Sequence, residues 1–296
     1  MRRLATLGMA LFLATAALAQ SGTFTSYTTT WAKQTREYGV YVPPGAPANP
    51  AMVLYLHGTY QGPDTPWQNI TQWKTMANTD KFLVVWPLAT YQPRIQAWYW
   101  EAFDVGFAFT PEPDDAGFLC NLIPSLVTRF SANPKAVFVT GMSSGALMTQ
   151  RVGMTCPQLV AAIAPVSGPI YIKQMTDPFM PPVLSDPVSV LEIHGDADPV
   201  LEYCGSTPHA QWSIDFLTLA SVDEDMAYWQ HADSCLPSGV QLCTKGAPTP
   251  DVYGLTASGC ANGVEVKFID NPGGEHIWPL WAYPTISEFF LSHPKQ

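Results

Sequence analysis

A serine between two glycines is the residue best placed to act as a nucleophile in this sequence. The run Gly141-Met142-Ser143-Ser144-Gly145 matches the pattern G-x-S-x-G. Residues 136–140 before it form the apolar run of a buried strand, and residues 144–154 have a helical pattern. A sharp strand-to-helix turn would lift the Ser143 hydroxyl clear of the backbone. The alternative is a Gly-Ser loop that only caps a helix, but the flanking strand and helix favour a nucleophile.

A serine hydroxyl is a weak nucleophile and needs a neighbouring base. His276 lies in a loop after the last predicted strand and before the last predicted helix, where the chain order nucleophile, acid, base places the histidine. His57 and His194 each end a strand before a glycine, so we interpret them as residues that shape turns. The other three histidines are predicted to be solvated helix or loop residues: His209, His231 and His293.

The base needs a carboxylate that holds its ring in place. Asp196 and Asp198 compete for this role, since both follow the predicted strand 188–193. Loops at the carboxyl ends of strands are where α/β sheets place their sites. Asp198 lies deeper in the loop and is preferred, and Asp196 is then a turn residue or a brace for the loop.

Acyl transfer also needs hydrogen-bond donors for the oxyanion. The backbone N–H of Ser144 is one candidate, and the N–H of Thr59, after the early strand 52–56, is the other. The alternative for Thr59 is an ordinary tight turn. Trp278, two positions from His276, is a candidate for binding substrate through its aromatic face. Most other tryptophans are expected to pack in the core or at its rim.

Strand-like and helix-like segments alternate along the chain. The predicted strands cover 37–42, 52–56, 82–86, 136–140, 159–165, 188–193 and 264–269, and the predicted helices cover 70–77, 116–130 and 144–154. Pro124 should bend or divide the second helix. Ser221 and Thr285 each begin a capping-box pattern that predicts a further helix start. The fold class predicted is α/β, with a mostly parallel central sheet and helices on both faces.

Composition points to a secreted globular protein. Net charge is −10, which argues against nucleic-acid binding. Residues 1–19 have the pattern of a signal peptide, whose apolar stretch at 4–13 is too short to span a bilayer. Residues 20–296 are expected to form one catalytic domain. Six cysteines predict three disulfides, and among the 15 possible pairings we prefer Cys235 with Cys260.

Five runs of the chain carry a resemblance to a known family: 53–58, 139–145, 161–168, 193–200 with Tyr203, and 273–279. Together they resemble the secreted polyhydroxybutyrate depolymerase and feruloyl esterase group, which is related to carbohydrate esterase family 1 and has the α/β-hydrolase fold. This resemblance implies that Ser143 is the nucleophile, His276 the base and Asp198, rather than Asp196, the acid. Departures from the group's pattern include Ala146 after the nucleophile and Glu275 beside the base.

The resemblance implies a serine esterase that hydrolyses carboxylic esters of extracellular polymers, either polyesters or plant polysaccharide esters, through an acyl-enzyme. No cofactor or metal is expected, and neither is a membrane span after signal cleavage. We expect a monomer. The alternatives are an acetylxylan esterase, a carbohydrate-binding protein with an inactive hydrolase fold, and a peptidase on the same scaffold.

Overall fold

The computed structural model describes residues 22–59, 66–93, 95–102, 113–172, 183–205 and 218–296. The predicted signal peptide and His209 lie outside these ranges. The strands are β1 (Thr23–Trp31), β2 (Gln34–Val42), β3 (Met52–Leu56), β4 (Leu83–Pro87), β5 (Thr90–Gln92), β6 (Ala97–Tyr99), β7 (Val137–Met142), β8 (Ala162–Val166), β9 (Tyr171–Ile172), β10 (Ser189–Gly195), β11 (Thr218–Leu219), β12 (Cys243–Thr244), β13 (Ala247–Pro248), β14 (Gly254–Ala257) and β15 (Val266–Asn271). The α-helices are α1 (Pro66–Asp80), α2 (Asp115–Phe130), α3 (Ser144–Thr155), α4 (Val222–Ala232) and α5 (Ala282–Ser292).

Nine strands form one sheet in the order β1-β2-β4-β3-β7-β8-β10-β15-β14. The strands from β4 to β15 in this order are parallel, whereas β1, β2 and β14 pair antiparallel at the two sides. Parallel pairing brings the carboxyl ends of β3, β7, β8, β10 and β15 to one edge of the sheet. This edge carries the loops that contain the predicted site residues.

The alternation of side chains along each strand divides the core into two layers. In β3, Met52, Leu54 and Leu56 pack on the side of α2, α3 and α4, whereas Val53 and Tyr55 pack on the side of α1 and α5. Both faces of the central strands are therefore covered, which explains why these strands read as continuous apolar runs.

All seven strands predicted from the sequence are present, with bounds that differ by up to a few residues. The predicted strand 159–165 begins later, because Pro157–Leu159 forms a 3₁₀ turn before β8. β1 was missed, since it is rich in threonine and half exposed along its length. An edge strand of this kind lacks the buried apolar run by which the other strands are recognised.

The helix predictions need two corrections. The Ser221 capping box is confirmed, because the Ser221 Oγ accepts from the Glu224 N–H while Glu224 accepts from the Ser221 N–H. The capping box predicted at Thr285 is wrong: α5 begins at Ala282, one turn earlier, and the Thr285 hydroxyl donates to the Trp281 carbonyl. α2 also continues through Pro124, so the proline does not divide it.

Three disulfides join the six cysteines. They pair Cys120 with Cys156, Cys204 with Cys243, and Cys235 with Cys260. The preferred pairing of Cys235 with Cys260 is confirmed. Within the described ranges, no helix has the length and apolar character needed to cross a membrane.

Candidate active site

Ser143 occupies a strained turn between β7 and α3. Its backbone has φ 56° and ψ −124°, a left-handed conformation that residues with side chains rarely adopt. The turn is tight because a Cβ on Gly145 would overlap the Leu56 carbonyl oxygen, and a Cβ on Gly141 would overlap Gly145. The two glycines of the motif are thus required by close backbone approach.

The loop after β3 runs directly beside Ser143. A Cβ placed on Gly58 would lie 3.5 Å from the Ser143 Cβ, which puts the segment from His57 to Thr59 next to the serine. The His57 ring is fully buried beneath this loop, where its Nε2 accepts from the Ala89 N–H at 3.0 Å and its Nδ1 donates to the Gly58 carbonyl at 2.8 Å. Burial lowers the pKa of His57 to about 4. A neutral His57 therefore braces the loop that carries Thr59.

His276 and Asp198 form a close hydrogen-bonded couple. The distance from His276 Nδ1 to Asp198 Oδ2 is 2.7 Å, and the His276 side chain is 17% exposed. The other carboxylate oxygen, Oδ1, accepts from the N–H groups of Val200 and Leu201 at 2.8 and 2.9 Å. Since the carboxylate accepts a hydrogen bond from Nδ1–H, a neutral His276 presents the lone pair of Nε2.

Asp198 is held in its ionised form. Burial alone would raise its pKa, but hydrogen bonds from His194 and His276 to the carboxylate outweigh burial and bring the pKa well below the usual value. The Asp198 carboxylate therefore carries its negative charge at neutral pH.

Backbone contacts join the loop of Asp198 to the loop of His276. The Ala197 N–H donates to the Gly274 carbonyl at 3.1 Å. Asp196 accepts from the Gly273 N–H at 2.6 Å and contacts this loop rather than the His276 ring. The geometry thus distinguishes the two aspartates: Asp198 meets the histidine and Asp196 braces the loop.

The loop after β8 lies between the serine and the histidine. The Ser167 hydroxyl approaches the Ile277 carbonyl at 3.5 Å, while a Cβ on Gly168 would contact the Ser143 carbonyl oxygen. Ser143, Asp198 and His276 thus lie in loops that meet at one edge of the sheet. Ser144, the first residue of α3, is buried beside the serine.

Trp278 packs into an aromatic cluster on the α1 and α5 side of the sheet. Its ring lies 5.6 Å from that of Tyr55, 6.0 Å from that of Trp73 and 5.1 Å from that of Tyr283. These contacts assign the ring a packing role next to the site. A role for Trp278 in binding substrate stays a prediction.

The sequence predicts that His194 shapes a turn, but in the structure its ring lies against Asp198. Its Nε2 is 2.7 Å from the Leu201 carbonyl and 3.4 Å from Asp198 Oδ2. On its other side, Nδ1 faces the buried Glu192 at 3.4 Å. A glutamate inside the apolar run of β10 was the signal in the sequence that this strand carries a polar network.

A family model described as Esterase PHB depolymerase matches residues 36–203, which cover the serine and both aspartates but end before His276. Poly(3-hydroxyalkanoate) depolymerase C of Paucimonas lemoignei is 31% identical over 134 residues, which are 44% of this chain and 31% of that protein. Acetylxylan esterase A of Talaromyces purpureogenus is 29% identical over 132 residues, 44% of this chain and 32% of the relative. The chain spans about a third of the length of these two relatives.

Solved structures agree with this match at the level of the fold. The acetyl xylan esterase from Aspergillus awamori superposes with a TM-score of 0.61 at 17% identity, covering 90% of this chain and 98% of the other. The shared architecture is the α/β-hydrolase fold, as predicted.

Proposed function

The chain belongs to the PHB depolymerase family of esterases, and on this premise we propose that it hydrolyses carboxylic esters through an acyl-enzyme formed on Ser143. The observation that carries the proposal is the placement of a strained Ser143 and a hydrogen-bonded His276–Asp198 couple in loops at the same edge of the sheet. Strain of this kind persists only where the surrounding structure enforces it, and it clusters at active sites.

The proposed reaction has two halves. Ser143 Oγ attacks the ester carbonyl carbon while His276 Nε2 takes the hydroxyl proton, and that proton then goes to the leaving alcohol as the ester C–O bond breaks. Water attacks the acyl-enzyme in the second half with the same help from His276, which releases the acid and restores Ser143. Asp198 keeps the ring oriented and stabilises the imidazolium that forms in each half.

The oxyanion of each tetrahedral intermediate would be bound by the backbone N–H groups of Ser144 and Thr59. Ser144 begins α3, where the unpaired N–H groups of a helix start favour negative charge. Thr59 lies in the loop that passes beside Ser143. Two such donors account for several kcal/mol of transition-state stabilisation in acyl transfer, about 3 kcal/mol each.

Hydrolysis of 4-nitrophenyl acetate tests this proposal. The parent protein should turn over the ester, and Ser143→Ala should lose the activity by about a thousandfold or more. Ser144→Ala serves as a matched control because it keeps the backbone N–H, and it should stay within about tenfold of the parent. Equal activity of Ser143→Ala and the parent would overturn the mechanism.

The substrate class that we propose is an extracellular ester polymer, with a polyester preferred over an acetylated polysaccharide. Apolar side chains directly after the base are exposed: Ile277 by 50%, Leu280 by 73% and Trp281 by 39%. An apolar surface of this kind suits a hydroxyalkanoate chain better than a hydrated sugar polymer. Disulfides form in oxidising compartments, which supports an extracellular location.

Rates on three substrates compared side by side test this preference. A hydroxybutyrate oligomer should give the highest kcat/KM, above acetylated xylan and methyl ferulate. The acetylated xylan is the main competitor, because one of the relatives and the superposed structure are acetylxylan esterases. A highest rate on acetylated xylan would make the chain an acetylxylan esterase instead.

A further inference from the structure

A row of buried polar side chains extends from Asp198 into the core on the α4 side of the sheet. Its members are His194 and Glu192 from β10, Asp225 from α4 and Gln150 from α3, and the side chains of all four are fully buried. Residues 192 and 194 share one face of their strand, which places both on the side of α3 and α4. Such groups are costly to bury unless each one is hydrogen-bonded.

His194 holds the loop of the acid with its Nε2. A carbonyl oxygen only accepts, so the 2.7 Å contact with the Leu201 carbonyl requires a proton on Nε2. The same nitrogen lies 3.4 Å from Asp198 Oδ2. Leu201 itself donates its N–H to Asp198, so His194 contacts both the acid and the backbone segment that binds it.

Glu192 lies at the opposite nitrogen of the same ring, with Oε1 3.4 Å from His194 Nδ1. If the imidazole is neutral, Nδ1 has a lone pair and a protonated Glu192 donates to it. If the imidazole is charged, the Glu192 carboxylate accepts from Nδ1. Either arrangement keeps the proton on Nε2, where the Leu201 carbonyl requires it.

Asp225 interacts with Glu192, and Gln150 in turn contacts Asp225. Gln150 donates to Asp225 at 2.6 Å and accepts from the Trp229 indole N–H at 2.5 Å, which determines the orientation of its amide. The Glu192 and Asp225 carboxyl groups interact, and neither Glu192 Oε2 nor Asp225 Oδ1 has another hydrogen-bond partner among the described residues. A proton held between these two oxygens would satisfy both. Burial raises the pKa of both carboxyl groups, so the pair retains this proton.

We propose that Glu192 is a positioning residue for the reaction: backed by Asp225, it fixes the tautomer and orientation of His194, and His194 in turn holds Asp198 against His276. The proposal rests on the function proposed above for Asp198 and His276. Glu192 touches no substrate and would act only through the imidazole of His194.

Two variants at position 192 separate this role from simple core packing. Glu192→Gln keeps a group that donates to Nδ1 and should retain kcat within about threefold. Glu192→Leu fills a similar volume but leaves Nδ1 without a partner, and kcat should fall by between about tenfold and a hundredfold with KM little changed. If position 192 contributed packing alone, Glu192→Leu would keep the parent kcat as Glu192→Gln does.

Asp233→Asn is the matched control. Asp233 is a fully buried carboxyl at the end of α4 that accepts from the Val188 N–H, on the approach to the same strand. It makes no contact with His194 or Asp198 among the hydrogen bonds of the described residues, so its variant should keep the parent kcat and KM. His194→Phe is the second test should Glu192→Leu not fold, and its kcat should fall as that of Glu192→Leu does.

A measurement without substrate distinguishes failure of this proposal from failure of the proposed function. The Nδ1 proton of His276, held by Asp198, should give a low-field resonance in the NMR spectrum of the Ser143→Ala chain. Adding Glu192→Leu should shift or broaden this resonance, whereas adding Glu192→Gln or Asp233→Asn should not. Parent kcat in both Glu192→Leu and His194→Phe, or an unchanged resonance with Glu192→Leu, would overturn the positioning role whether or not the chain is an esterase.

Discussion

The two aspartates of the acid loop differ in what their carboxylates touch. Asp198 accepts from His276, and Asp196 accepts from the backbone of Gly273. Position along the loop favoured Asp198 in the sequence, and the geometry gives the physical reason. Because their contacts differ, variants of these two neighbouring aspartates can be compared to test which of them orients His276.

Replacing Asp198 with asparagine should lower kcat by about 10³- to 10⁴-fold, with little change in KM. An asparagine amide can donate to Nδ1, which would place the histidine proton on Nε2 and remove the lone pair that acts as the base. The kcat of Asp196→Asn should stay within about tenfold of that of the parent, because Asp196 contacts the backbone of the Gly273 loop and not the His276 ring. Steady-state kinetics on 4-nitrophenyl acetate measures both variants, and a larger loss in Asp196→Asn than in Asp198→Asn would reverse the assignment.

Sequence order was sufficient to select Ser143, Asp198 and His276 as candidates, because each follows a recognisable buried strand. It was insufficient for His194, whose role depends on which groups the fold brings to its two nitrogens. Asp225 is 33 positions from Glu192 along the chain, and their contact depends on how α4 packs on β10. No local pattern contains that information.

At the level of elements, the turn between β7 and α3 depends on the absence of a side chain at Gly145. Gly145→Ala should destabilise the protein by about 2 kcal/mol or more, because its Cβ would overlap the Leu56 carbonyl of the neighbouring strand. Gly58→Ala is the matched control for stability, since its Cβ would make ordinary contacts at 3.4 and 3.5 Å. Urea unfolding compares the two variants, and equal midpoints would show that the turn can relax.

The end of α4 should make stability depend on pH through Asp233. Burial raises the pKa of Asp233 to about 7 in the folded protein. The folded state then binds a proton that the unfolded state has lost, so stability falls as the pH rises from about 4 through 7. Asp233→Asn removes this loss and should reduce the difference in unfolding free energy between pH 5 and pH 8 by roughly 2 kcal/mol. Urea unfolding measures the free energy of unfolding of variant and parent at each pH. If the two proteins lose the same free energy between pH 5 and pH 8, Asp233 does not cause the pH dependence.

Elements with buried apolar runs were predictable, and those that depend on tertiary context were not. The pattern at Thr285 satisfies the capping-box rule, yet α5 starts earlier because Ala282, Tyr283 and Ile286 bury their side chains against the sheet. β1 is polar along most of its length and is recognisable only through its pairing with β2.

Across the whole molecule, three disulfides join segments that are 25 to 39 positions apart. Cys235 and Cys260 lie next to the β-bridge between Leu236 and Ser258, in the region that precedes β15. Replacing both with serine should lower the unfolding free energy by about 3 kcal/mol, because a loop of this length regains entropy in the unfolded chain. Guanidinium unfolding measures the loss, and an unchanged midpoint would mean that the bridge contributes no stability.

The fold class and the three disulfides were predictable from composition and pattern because they depend on strand alternation and cysteine number. The other two disulfide pairings were not, since six cysteines leave the connectivity open. Cys204 pairs with Cys243 only because the chain after the acid loop packs beside the segment that contains β12.

Ser143 is proposed as the nucleophile, with His276 as the base that activates it. Reaction with a fluorophosphonate, followed by peptide mass spectrometry, tests this most directly. One adduct per chain is predicted on Ser143, none is predicted in Ser143→Ala, and labelling should be strongly slowed in His276→Gln. An adduct on another residue, or equal labelling of Ser143→Ala and the parent, would show that Ser143 is not the nucleophile.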